Sequence, residues 1–345
     1  MKSYQDEVNR ENTGKMKEII STLPYYVSDY FTARRTNTTT KTRLSYAYDL
    51  RKFFVWLANN VSELDETNLK GITTEQLDCV TARDIEEYID FLQTDEDALN
   101  HGAGIARKLS ALSSFFDYLY KRDLIKNNPC DKVIKPKQEK DKRIVKMSPD
   151  EVVKFLDAIE NGCQSFTPKQ QAYLKNTRER DLAIATLLLG TGIRVSECVG
   201  LDVDDVDFNN CRIAVFRKGG KIQNVPIGDE VIEALRAYMV IREKENTDET
   251  ALFLSMQKKR MCVQAVEQMI NKYAEAVGTA YRITPHKLRK TYGTELYSET
   301  GDIYLVASAL GHENVNTTKT HYASQDEGRL LEARNVVKLR DKKPD

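Results

Sequence analysis

From Leu23 onward, apolar residues recur at three- and four-residue spacing through Tyr26, Val27, Tyr30 and Phe31, the period of an α-helix. The same period predicts a second helix over about 40–58, where Leu44, Ala47, Tyr48, Leu50, Phe53, Phe54 and Leu57 form one stripe. A third follows the start signal Thr81-Ala82-Arg83-Asp84 and carries Ile85, Tyr88, Ile89 and Leu92. A fourth and a fifth are expected within 103–122, and Asn127-Asn128-Pro129 closes this helical block. Residues 1–20 are polar and read as a weakly ordered arm.

The pattern breaks over 131–147, which holds seven Lys or Arg, one Pro and no sustained period, and so reads as a basic linker. It ends at Ser148-Pro149-Asp150-Glu151, a capping box with proline at the first helical position. A polar insertion over 161–176 is followed by an apolar helix, 182–189, ending at Gly190. Val206–Phe208, Arg212–Arg217 and Ile222–Ile227 then read as three short strands joined by Asn209-Asn210 and Gly219-Gly220 turns. Beyond Asp229 the chain reads as helical again. The expectation is a mainly α protein with a small three-stranded β-sheet, divided as arm 1–20, helical domain 21–130, linker 131–147, second domain 148–325 and tail 326–345.

Composition narrows the class. With 345 residues, 41% hydrophobic and 30% charged, the chain is long enough for two cores and is not a disordered or collagen-like one. No apolar run reaches membrane-spanning length, and residues 1–14 lack the apolar core of a signal peptide. Six cysteines stand singly with no C-x-x-C spacing, which suggests neither a disulfide framework nor a zinc site and fits a reducing, cytoplasmic setting. Net charge is zero, yet residues 61–100 carry twelve acids against two bases, and residues 101–147 twelve bases against five acids. A neutral total therefore conceals a basic segment able to meet nucleic acid locally.

Candidate chemistry concentrates near the C-terminus, where three of the four histidines fall. Thr284-Pro285 opens a helix that places His286 and Arg289 three apart, on one face near an anion-attracting N-terminus. Gly311 fits a left-handed helix cap, with His312 just beyond it. Asn316-Thr317-Thr318 is expected to cap a short helix bearing His321 and Tyr322. Gly190-Thr191-Gly192 loosens a turn before Arg194, and Arg217 to Lys221 form a hairpin tip with Lys218. Taken singly, each fits an ordinary surface pair, core residue or solvated loop. Trp56 and Cys198 read as packing residues.

Taken in order, Gly192-Ile193-Arg194-Val195-Ser196-Glu197, Lys218-Gly219-Gly220-Lys221, His286-Lys287-Leu288-Arg289, Leu310-Gly311-His312 and Tyr322 resemble the tyrosine recombinases, the phage-type integrases and Xer-like enzymes. The resemblance implies a two-domain DNA clamp made of a helical core-binding domain and an α+β catalytic domain. It implies Arg194, Lys218, His286, Arg289 and His312 as catalytic groups, with Tyr322 as nucleophile, and it implies no metal and no cofactor. It implies duplex DNA with an inverted-repeat core site as partner, bound by a homotetramer or by a hetero-tetramer with a related recombinase. Lys132, Lys135, Lys137, Lys140, Lys142, Arg143 and Lys146 of the linker are the expected DNA-binding cations. Lys290, Tyr292 and Ser324 depart from residues common in the family, and none of these changes removes a catalytic group. Two other readings share the fold: a DNA-binding protein that does not cleave, and a type IB topoisomerase-like relaxing enzyme. The absence of an obvious arm-binding domain before Leu23 fits a short, Xer-like form. Leu330, Ala333 and Val337 form a narrow apolar stripe in the tail, suited to docking on its own catalytic domain or on a neighbouring protomer.

Overall fold

The computed structural model describes residues 4–60, 68–94, 102–134, 146–163, 165–217, 220–279, 281–312, 314–316 and 318. The chain divides into two compact units, 1–142 and 143–345.

The first unit is helical: α1 (Tyr4–Ile20), α2 (Tyr25–Ala33), α3 (Thr40–Asn60), α4 (Thr74–Asp78), α5 (Ala82–Thr94) and α6 (Gly102–Tyr120). The stripes read from the sequence converge on one aromatic core in which Tyr26, Tyr30, Phe53, Phe54, Tyr88, Phe115 and Phe116 are fully buried. Most ring pairs meet edge-on, as Phe53 does with Phe116 at 5.9 Å, the arrangement that ring quadrupoles favour. Two of the buried phenols bond within the unit, Tyr26 Oη donating to Ile72 O at 2.9 Å and Tyr30 Oη pairing with Ser114 Oγ at 2.8 Å. Trp56 lies in this core, the packing position expected of it. Arg107 forks onto the buried Asp49 carboxylate, which ties α6 to α3.

Three expectations for this unit are corrected. Of the stretch read as a weakly ordered arm, Tyr4–Ile20 is helical and packs on α3, with Met16 and Ile19 buried and Thr40 Oγ1 donating to Asn9 Oδ1 at 2.6 Å. Only Met16 and Ile19 are buried, with Ile20 packed beside them at the very end of the helix, too few for a hydrophobic period to be visible. The fourth and fifth helices are one continuous helix, α6. The linker is also shorter than 131–147, because Val133 is buried in this unit's core and Met147 is buried in the second unit.

The second unit contains α7 (Pro149–Asn161), α8 (Pro168–Thr191), α9 (Val195–Val199), β1 (Val206–Asp207), β2 (Arg212–Phe216), β3 (Ile222–Pro226), α10 (Asp229–Arg242), α11 (Val263–Ala276), α12 (Pro285–Thr300) and α13 (Ile303–Leu310). The strands form one antiparallel sheet in the order β1-β2-β3, with Val206 opposite Ile213 and Ile213 opposite Val225. Ile213 and Val215 alternate inward along β2, as a half-buried strand requires. α8 is the central helix and packs against α7, α10 and α12. Much of the polar segment 161–176 is in fact its first turns, begun by a Thr167–Gln170 capping box. Hydrophobic periodicity hides those turns because Lys169, Gln170, Gln171, Lys175 and Asn176 dominate them and Leu174 is their one buried apolar side chain.

A buried ionic cluster fixes α8 to its neighbours. Asp181 accepts both Arg180 Nε and Nη2, at 3.0 and 2.7 Å, together with Thr177 Oγ1 and Tyr273 Oη of α11. Arg180 Nη1 continues to Leu254 O at 2.8 Å, inside a non-helical stretch around 251–261 that the sequence reads as helical. Removing one partner from such a set would leave an uncompensated buried charge.

Candidate active site

Several of the second unit's candidate groups lie on elements that meet at Gly192 and Leu310: the α8–α9 turn, α12, α13 and the β2–β3 hairpin. The turn from α8 to α9 comes first. Gly192 has φ +61°, the left-handed region that suits glycine, and a Cβ there would lie 2.4 Å from Tyr292 Cδ1 and 2.9 Å from Leu310 Cδ2. The missing side chain thus admits α12 and α13 directly over the turn. Two residues on, Arg194 is the N-cap of α9 and its side chain is 40% exposed. Glu197, buried on the same short helix, accepts the Arg194 backbone N–H at 2.8 Å and Arg194 Nη1 at 2.7 Å.

α12 brings the second guanidinium. Pro285 fills its first position, as expected, but Thr284 caps through no side-chain bond; its carbonyl instead accepts Lys287 and Leu288 N–H at 2.8 and 3.1 Å. Arg289 is buried, donating Nη1 to Gly192 O and Nη2 to Leu310 O, each at 2.6 Å. His286, one turn earlier, is exposed. The two residues share a helix face at three-residue spacing, yet one is locked and the other faces solvent.

α13 closes the site from its C-terminal end. Gly311 takes φ +62° at the cap, and the His312 N–H returns to Ala307 O at 2.9 Å. His312, half-buried, pairs its Nδ1 with Thr318 Oγ1 at 2.8 Å. Arg289 and His312 thus lie at the last carbonyls of α13, where the macrodipole's negative end favours the Arg289 cation, and Arg194 stands two residues past Gly192, whose carbonyl Arg289 also holds. Lys218 and Tyr322, like His321 and the tail, lie outside the described residues, as do Lys135, Lys137, Lys140, Lys142 and Arg143. Lys132 is exposed at the end of the turn Pro129–Lys132 in the first unit, and Lys146 is half-buried in the second.

The spacing arguments missed one participant. Arg217 is buried and spends its guanidinium on Gln223 Oε1 through Nε (3.1 Å), on Glu197 Oε2 and Leu310 O through Nη1 (2.8 and 3.2 Å), and on Ala309 O through Nη2 (3.2 Å). Glu197 thus serves two arginines, and Leu310 O serves two. The Glu197–Arg194 link was available from an i, i+3 spacing, whereas nothing local marks Arg217, since its charged partner is 20 residues away and its helix-end acceptors are 92 and 93 away. Cys198 next to Glu197 is fully buried, which pushes its thiol pKa up and leaves it a packing residue.

Residues 145–329 match the model of the phage integrase family, and residues 29–123 match that of the phage integrase N-terminal SAM-like domain. The chain belongs to the phage integrase family. Among this family member's relatives, the tyrosine recombinase XerS of Streptococcus equi subsp. equi (strain 4047) is 30% identical over 352 residues, covering 92% of this chain and 97% of the relative. XerS of Lactococcus lactis subsp. cremoris (strain MG1363) is 30% identical over 358 residues, covering 94% and 98%. Of solved structures, the XerH site-specific recombinase bound to palindromic difH substrate, a post-cleavage complex, aligns with a TM-score of 0.64 at 22% identity, covering 89% of this chain and 82% of that one. The Tn1549 transposon integrase in complex with circular intermediate DNA aligns with a TM-score of 0.63 at 22% identity, covering 89% and 99%. At these identities the structural likeness is one of fold, and it agrees with the mainly helical architecture and its small antiparallel sheet.

Proposed function

We propose that this integrase-family chain is a site-specific tyrosine recombinase that cuts and rejoins DNA through a 3′-phosphotyrosyl intermediate and a Holliday junction. The observation that carries the reading is that Arg289 bridges Gly192 O, two residues before Arg194, and Leu310 O, two residues before His312. In-line attack on a phosphodiester places extra negative charge on the non-bridging oxygens. Fixed guanidinium donors stabilise that charge more in the transition state than in the ground state.

In this mechanism Tyr322 Oη loses its proton, assisted by His286, and bonds to the scissile phosphorus as the bond to the 5′-oxygen breaks. Lys218 protonates that leaving oxygen, and His312 hydrogen-bonds the phosphate. A phenol has a pKa of about 10 in water, so attack near neutral pH depends on the surrounding cations. The phosphotyrosyl ester keeps the energy of the broken bond, and a 5′-hydroxyl from the partner duplex then attacks it and releases Tyr322. Two such rounds exchange both strands.

The reading extends to the assembly. Duplex DNA carrying an inverted-repeat core would be held by Lys132, Lys135, Lys137, Lys140, Lys142, Arg143 and Lys146 together with the helical first unit. Four subunits, identical or shared with a related recombinase, would act on two sites in the cytoplasm. The 326–345 tail would join them by docking on the neighbouring protomer. The task would be DNA integration and excision or chromosome-dimer resolution. The tyrosine recombinase relatives and the DNA-bound recombinase and integrase structures of the same fold support this class of reaction.

The decisive test is a nicked suicide duplex. Wild-type protein should form a covalent adduct on it, in EDTA as well as without it, and Tyr322→Phe should bind the DNA yet form none. An adduct persisting in Tyr322→Phe would move the nucleophile to another residue, and a strict divalent-metal requirement would overturn the mechanism.

A further inference from the structure

Arg217 is the most heavily engaged cation of the site and has no place in the mechanism above. Its guanidinium lies where no phosphate need reach it, 7% exposed, with protein acceptors taking Nε, Nη1 and Nη2. It also occupies space that only a glycine leaves, because a Cβ on Gly311 would lie 2.8 Å from Arg217 Cζ. The hairpin is stitched to α13 a second time through Gln223 Nε2, which donates to Ser308 O at 3.2 Å.

The charges show what this arrangement does. Glu197 is a buried carboxylate lying directly against Arg194. Paired with Arg194 alone, it would cancel most of that guanidinium's field, since a contact ion pair in a poorly hydrated place is nearly neutral from outside. Arg217 binds the same carboxylate at 2.8 Å. Two cations then share one anion, and the half-exposed Arg194 keeps the surplus on its solvent side. The same guanidinium shares Leu310 O with Arg289, which fixes the second phosphate-facing arginine to the same backbone atom. We propose that Arg217 is a positioning residue of the phosphate site: it shares the Glu197 charge so that Arg194 keeps its own, and it locks the end of α13 on which Arg289 rests.

The inference rests on the recombinase reading, and its test separates the two. The full-length protein is assayed for Tyr322 adduct formation on the suicide duplex. Arg217→Gln should form adduct roughly 100-fold more slowly, the scale of one missing or misplaced oxyanion donor, while binding a single site normally. The double variant Arg217→Gln with Glu197→Gln removes the shared anion together with the cation. It should therefore be about tenfold faster than Arg217→Gln alone, whereas independent structural damage would make it slower than either single variant. A second measurement uses a duplex with an uncharged methylphosphonate at the scissile position. There the Arg217→Gln deficit should shrink by about tenfold, because less charge needs stabilising. If Arg217→Gln does not fold, Arg217→Lys takes its place on both duplexes, with a smaller deficit that again narrows on the uncharged one. A double variant no faster than Arg217→Gln, or a deficit equal on both duplexes, would reduce Arg217 to a strut. Absence of any Tyr322-dependent adduct from the wild type would instead refute the recombinase reading itself.

Discussion

At the scale of single residues, the site is built by subtraction as much as by placement. Gly192 and Gly311, at φ +61° and +62°, each vacate the volume that another element's side chain enters. Tyr292 and Leu310 close on the first, and Arg217 on the second. An alanine at either position would meet a left-handed backbone and a close neighbour together. Roles at this scale are separable by substrate chemistry. A phosphodiester's 5′-oxygen is a poor leaving group until protonated, whereas a bridging sulfur at that position leaves without a proton. Lys218→Ala should therefore cleave ordinary duplex at least 100-fold more slowly, the range of general acid catalysis, and recover most of its rate on the 5′-bridging sulfur substrate. Equal defects on both substrates would make Lys218 a phosphate-binding group instead. The positions of Gly192, Gly311, His286, His312, Arg194 and Arg289 were legible in the sequence because local signals set them: a cap, a turn, a proline-led helix start. Arg217 was not, because its role is defined by residues 20 and 93 positions away.

At the scale of elements, legibility followed the physics of each signal. α3, α5 and the sheet announce themselves by buried periodicity, and α7 by its caps. α1 did not, because its anchoring is a matter of two buried side chains and a hydrogen bond to Thr40. The first turns of α8 stayed hidden behind polar residues. α7 shows how strongly a cap can be specified. Glu151 N–H donates to Ser148 Oγ at 3.2 Å, and the Ser148 N–H donates to Glu151 Oε2 at 2.8 Å. That second bond, with a smaller contribution from the Tyr281 hydroxyl, holds the Glu151 carboxyl below the ordinary glutamate value. Ser148→Ala should therefore cost about 1 kcal/mol of stability, measurable as a lower denaturation midpoint of the full chain. The pH dependence has a definite sign. A carboxyl whose folded pKa is depressed contributes stability above its unfolded pKa, and that contribution fades as pH falls through the folded value. Glu151→Gln should therefore lose stability relative to wild type near neutrality and converge with it in acid. A difference that widened on acidification would contradict the assignment.

At the scale of the molecule, a chain with no net charge has to approach a polyanion, and the distribution of its charges decides whether it can. The acidic 61–100 stretch and the basic 101–147 stretch cancel in the total but not in the local field. Within the basic stretch, Lys132 belongs to the end of the first unit, and Lys146 to the start of the second, where its carbonyl accepts the Tyr281 hydroxyl at 2.7 Å and the next residue, Met147, donates its N–H to Thr291 Oγ1 at 3.0 Å. Thr291 stands two residues after Arg289 on α12, so the chain enters the second unit already fastened to the helix that carries Arg289, the proposed phosphate ligand. Burial and the bond to Glu151 push the Tyr281 hydroxyl's pKa up to about 12, so it remains a donor across the working pH range. Cations along this path would meet backbone phosphates, which are the same on every sequence. Changing Lys135, Lys137, Lys140, Lys142 and Arg143 to Ala should therefore weaken binding to the core site and to random duplex by the same factor. It should also lower the slope of log affinity against log salt by about 0.9 for each phosphate that is no longer neutralised. Equal weakening on both DNAs with a shallower slope would mark these residues as phosphate-binding cations. A changed base preference at an unchanged slope would place sequence reading in the linker and remove it from the proposed clamp.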